Sequence, residues 1–126
     1  MLVEFVTLKE TEVLLIKLEQ FYDIEQANKF INSLRETLDK SKKQNLVVGT
    51  DISDVRVFSA EILAIMEDCQ KLIANFGVKK IGRLINSSIL EMQLRRTGKQ
   101  VYSKEVLDTV KIFQNREEWE NYLSAS

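Results

Sequence analysis

Leu46-Val47-Val48-Gly49-Thr50-Asp51-Ile52-Ser53-Asp54-Val55-Arg56-Val57-Phe58-Ser59-Ala60-Glu61-Ile62-Leu63 is the stretch around which the rest of the chain is organised. Leu46-Val47-Val48 is apolar without alternation, the pattern of a central strand covered on both faces. A loop tipped with small polar groups follows. Ser59 then caps an amphipathic helix, with Ile62, Met66, Cys69, Leu72, Ile73 and Phe76 recurring on one face. Gly77 stands where that helix should end in a left-handed cap. The stretch therefore reads as one strand–loop–helix unit.

Downstream, Lys80 to Ile85 reads as the next strand, and Ser87 or Ser88 caps a third helix. Glu91 makes a reciprocal capping box with Ser88, Leu90 and Leu94 point inward, and Gly98 ends the helix. Ser103-Lys104-Glu105-Val106-Leu107 makes a single helical turn, and Val110-Lys111-Ile112-Phe113 a last strand. Asn115 with Glu118 caps a closing helix whose Trp119, Tyr122 and Leu123 share a face.

Upstream, Leu2 to Leu8 and Glu12 to Leu18 are β-rich runs separated by Lys9-Glu10-Thr11, which predicts an antiparallel hairpin. No Asn-Gly or Asp-Gly fixes its turn type. Asp23 caps a helix with Gln26 at the reciprocal position. Ile24, Ala27, Phe30, Ile31, Leu34 and Leu38 form its buried stripe, and the polar run Asp39 to Asn45 closes it.

The expected fold class is thus α/β. It is a mostly parallel sheet of about five strands, with an N-terminal antiparallel hairpin and about four covering helices. Residues 1–126 form a single domain, since 126 residues lie within the usual size of one unit and no linker or internal repeat divides them.

Composition narrows the function classes. A net charge of −1 argues against whole-protein attraction to nucleic acid or to an anionic membrane. The chain has no histidine, which removes the commonest general base and the commonest metal ligand together. Its single cysteine, Cys69, allows no intrachain disulfide and no cysteine-based zinc cluster, and its place on a helix stripe makes it a small buried hydrophobe. No apolar run approaches the roughly 18 residues that span a bilayer, and the N-terminus has no signal-peptide pattern. These features lead us to expect a cytoplasmic chain without cofactor or metal.

The element order, with the Leu46–Leu63 unit in place, resembles the STAS domain, and specifically its single-domain bacterial SpoIIAA-like members. Asp51-Ile52-Ser53 is similar to the Asp-Leu-Ser of that family, Asp54-Val55-Arg56-Val57 follows its next segment in outline, and Leu63 stands at its closing leucine. The resemblance implies a STAS-like fold and a bacterial regulatory module that docks a protein. It also implies a phosphorylated serine in an Asp-Ser-Ser-Gly run. Here that serine falls on Ala60, the family aspartate on Ser59, and Glu61 and Ile62 replace the second serine and the glycine. An alanine has no hydroxyl, so a phospho-switch cannot operate at that position.

In an open parallel sheet, ligands bind beyond the carboxyl ends of the strands. That edge would hold Asp51, Ser53, Asp54 and Ser59 after one strand and Asn86, Ser87 and Ser88 after the next. The same residues are ordinary caps and turn formers. Two functions are compatible with them. One is a non-enzymatic interaction module that meets a protein partner there, either another protein or a second copy of the chain. The other is a binder of a small anionic or lipid-like ligand. Arg83, in the middle of a strand, either faces solvent, pairs with a carboxylate such as Asp51, or meets a ligand. Arg95, Arg96 and Lys99 complement the dipole of the third helix, and Tyr102 alone gives little for a nucleic acid to stack on.

Overall fold

The computed structural model describes residues 1–21 and 23–125 and builds them on one mixed five-stranded sheet. Strands β1 (Leu2–Leu8), β2 (Thr11–Lys17), β3 (Leu46–Asp51), β4 (Val78–Leu84) and β5 (Lys111–Phe113) lie side by side in chain order. β1 pairs antiparallel with β2, and every other pairing is parallel. β3 is the middle strand and its apolar residues are buried, as its unalternating sequence predicts.

The β1–β2 loop has two residues, Lys9 and Glu10, both with positive φ (47° and 72°). A two-residue hairpin demands this sense of twist, which is normally supplied by Asn-Gly. The strand pairing therefore imposes on a lysine and a glutamate a conformation their side chains disfavour by roughly 1–2 kcal/mol each.

Helices α1 (Ile24–Ser41), α2 (Ala60–Asn75) and α3 (Ser88–Val101) join successive parallel strands, and the single turn α4 (Lys104–Leu107) leads from α3 into β5. Crossovers of one hand, always stepping the same way along the sheet, land on the same side of it. Leu14, Ile16, Val48 and Ile81 accordingly face α1, α2 and α3 in the larger core. The other face would be bare without α5 (Arg116–Ser124), whose Trp119 and Leu123 cover Val13, Val47 and Leu84.

Two glycines make room for α5. Gly49 and Gly82 are register partners on neighbouring strands. A Cβ on Gly49 would stand 2.6 Å from Leu123 Cδ1, and one on Gly82 would stand 3.0 Å from Leu123 Cδ2. Gly82 thus admits a close approach of Leu123, and Gly49 shares it. The indole of Trp119 donates to the Gly82 carbonyl at 2.9 Å, so the ring is both packed and hydrogen-bonded. Lys80 Nζ donates to the carbonyls of Tyr122 and Ala125 at the far end of α5.

Some details differ from the sequence reading. Ile24 is exposed although it falls on the α1 stripe, because it is the first residue of the helix and lies beyond the core. β4 begins at Val78 rather than Lys80 and ends at Leu84. α3 runs through Gly98 to Val101, where the Tyr102 N–H closes on the Gly98 carbonyl. The cap of α3 is Ser87, the first of the two serines the sequence offers, and Glu91 pairs with Arg95 instead of completing a box with Ser88. On α2, Leu72 and Phe76 are half-buried, while Gln70 is buried in their place. Gly77 has the left-handed φ of 83° expected of it. Among the described residues no helix is long and apolar enough to cross a membrane.

Candidate functional site

β3 ends at Asp51, whose side chain lies on the face covered by α5 and is nearly inaccessible to solvent. Its carboxylate accepts from Ser53 Oγ at 2.7 Å, from the Ser53 N–H at 3.2 Å and from Arg116 Nη2 at 2.5 Å. Burial by itself would raise the pKa of Asp51. The hydrogen bonds from Arg116 and Ser53 outweigh that effect and hold it below the ordinary carboxylate value. Asp51 is therefore a weak base that fastens the β3–α2 loop to the start of α5. The pairing of Asp51 with Arg83, one of the alternatives the sequence leaves open, does not occur. Alternation along β4 sends Arg83 to the opposite face, and α5 brings its own arginine.

A stability prediction follows from this pair. A carboxylate with a depressed folded pKa stabilises the fold at pH values above its unfolded pKa. That contribution fades as pH falls through about 4 towards the folded value. Because Arg116 is half exposed, Arg116→Ala should cost only about 1–2 kcal/mol at neutral pH. Urea titrations should show the gap between the two proteins closing below about pH 4. A gap that stays constant into acid would mean that the pair contributes packing and not charge.

Beyond Asp51 the loop is pinned from both sides. Ile52, Val55 and Phe58 turn inward into the larger core. Gln20 accepts from the Arg56 N–H and donates to the Val57 carbonyl, while Gln93 accepts from the Phe58 N–H and donates to the Phe58 carbonyl. These two glutamines were not legible as site residues, since neither carries a motif and each acts across more than 30 residues of sequence. They give the loop the hydrogen bonds that a strand would otherwise supply.

The structure brings Ser53, Asp54, Asn86 and Ser87 together around a shallow depression of about 400 Å³, with Arg56 on its rim. Asn86 Nδ2 donates to the Ser53 carbonyl, and Ser87 Oγ donates to the Arg56 carbonyl while accepting from the Leu90 N–H. Ser59 Oγ accepts from the Ile62 N–H as the cap of α2. Ser88 is exposed on the first turn of α3 outside the depression, and Asp51 lies beneath the surface. The strands follow one another without a reversal of order. The fold thus lacks the switch point at which such sheets open a ligand crevice.

Next to this depression three large apolar side chains face solvent: Val57 on the loop, and Ile89 and Met92 on α3. The loop and α3 are joined by the Ser87–Arg56 and Gln93–Phe58 hydrogen bonds, so these side chains are carried on two segments tied to each other. Elsewhere, burial pushes the Cys69 thiol up to about 12, and Tyr102 is buried, out of reach of any stacking base. Arg95 is held by Glu91 at 2.5 Å.

No family model matches this chain, and no curated protein is significantly similar to it.

Proposed function

We propose that this chain is a STAS-like, non-enzymatic interaction module. It docks a protein partner on the rim formed by the β3–α2 loop and the first turns of α3. The observation that carries this reading is the exposure of Val57, Ile89 and Met92 (43%, 60% and 54%) on a helix and a loop whose backbone is hydrogen-bonded to Gln20 and Gln93. Apolar side chains on a rigid surface bind without first being ordered, which lowers the entropic cost of association. The neighbouring serine hydroxyls and the Asn86 amide are engaged within the chain, so they supply a polar border and not a reaction centre. The likeness of Asp51-Ile52-Ser53 to the STAS pattern supports a regulatory role, and the alanine at position 60 makes that role independent of phosphorylation there.

Ile89→Asp combined with Met92→Asp tests the proposal, because both residues are exposed and their replacement leaves the core intact. Crosslinking in cells of the source organism should yield a defined adduct with the wild-type chain and not with the double variant. If that adduct is a second copy of this chain, sedimentation should show a dimer that the double variant loses. Adducts that are the same for both proteins would overturn the reading.

A further inference from the structure

Arg83 is the feature that neither the fold nor the docking rim uses. It sits in the middle of β4, only 6% exposed, on the face covered by α1, α2 and α3. Its guanidinium makes no side-chain hydrogen bond and no ion pair with any described residue, although five N–H donors point from it. Burial lowers its pKa, and only the charge of Glu91 and the hydroxyl of Tyr102 act against that. Glu91 itself is engaged by Arg95. The Arg83 nitrogens keep a little contact with solvent, since they are not among the buried atoms left without a partner, but a cation set this deeply with no protein partner is costly to keep.

Two cavities meet at Arg83. The inner one, about 60 Å³, is lined mostly by apolar side chains, with Thr50, Tyr102 and Gln70, whose Oε1 is the one buried side-chain oxygen or nitrogen without a hydrogen-bond partner among the described residues. The outer one, about 240 Å³, opens between α3 and β5. Its floor combines Arg83 with Leu94, Leu107, Val110 and Ile112. Arg95 and Lys99 stand at its margin, so three cationic side chains face one carboxylate, that of Glu91. Its size is below the roughly 300–1,000 Å³ of sites for drug-sized molecules, which restricts it to a compact ligand.

We infer that the depression between α3 and β5 is a binding site for a compact amphipathic organic acid, whose carboxylate meets the guanidinium of Arg83 and whose apolar body lies against Leu107, Val110 and Ile112. An arginine fork matches a carboxylate in two parallel hydrogen bonds, and their strength rises when water is excluded. The site is separate from the docking rim and stands or falls independently of it.

Benzoate serves as the probe, with acetate and inorganic phosphate as controls and amide NMR shifts as the readout. Benzoate should move the amides of Gly98, Lys99 and Ile112 saturably. Acetate, which lacks the apolar body, and phosphate should each bind at least tenfold more weakly. Arg83→Met should weaken benzoate at least tenfold. Leu107→Trp, which fills the depression and leaves Arg83 in place, should do the same, and it decides the matter if Arg83→Met does not fold. The inference is overturned if benzoate produces no saturable shift at these amides, if phosphate binds as tightly as benzoate, or if both variants bind benzoate as the wild type does.

Discussion

Trp119→Ala is expected to remove about 3–5 kcal/mol of stability, a large share of the roughly 5–15 kcal/mol that holds a domain of this kind together. The ring is 1% exposed and is the largest fully buried side chain in the protein. Its loss removes apolar burial, leaves a void above Gly49 and Gly82 that no Cβ lines, and strips the Gly82 carbonyl of its indole donor. α5 is short, and isolated helices of its length are marginal in water, so it depends on this packing. Val13, Val47 and Leu84 should then become accessible, which binding of a hydrophobic dye would report. Because Trp119 is the only tryptophan, the denaturation must be followed by far-ultraviolet circular dichroism and not by fluorescence. A loss below about 1 kcal/mol would show that Leu123 and the clamps at the two ends of α5 hold it without the ring.

That dependence also explains what could be read from the sequence and what could not. Strand β3, the caps Asp23, Ser59 and Asn115 and the apolar stripes of α1 and α2 were legible because each obeys a local period or a local hydrogen bond. Parallel order followed from strands alternating with helices. Distant pairings were hidden. Asp51 lies 65 residues from Arg116, and nothing in the residues between them says that α5 returns beneath β3. The same gap led the sequence to offer Asp51 as a partner for Arg83. A strand's period of two decides against it only once the face of each residue is known. At the proposed rim, the serines and Asn86 were visible as turn formers. Gln20 and Gln93, which hold the loop, were not, since a glutamine bonding across the fold leaves no spacing to recognise. The extension of α3 past Gly98 was missed for a related reason. Glycine ends a helix when the chain must turn there, but at Gly98 the neighbouring Leu107 and Tyr102 pack over it and the helix continues.

Arg83→Met should raise the stability of the unliganded protein by about 1–3 kcal/mol, the opposite sign to most core substitutions. A methionine roughly fills the stem volume of the arginine, suits the surroundings of Ile81, Leu94 and Tyr102, and brings no charge to desolvate. Replacing a buried ion pair by apolar residues is often neutral or stabilising even when the pair is well made. Here the side chain has no ion-pair partner to lose, so the balance lies further towards a gain. Since a guanidinium stays protonated throughout the neutral range, the gain should be flat between about pH 5 and 9, in contrast to the acid-sensitive contribution of Asp51. Paired urea titrations across that range measure both effects at once. A variant of unchanged or lower stability would mean that the guanidinium reaches enough solvent through the depression between α3 and β5 to remain hydrated, and that Arg83 costs the fold nothing. A stabilised variant would leave a wild-type chain that holds an unpaired arginine against its own folding interest, and stability yielded at one buried position is the usual mark of a site shaped for binding.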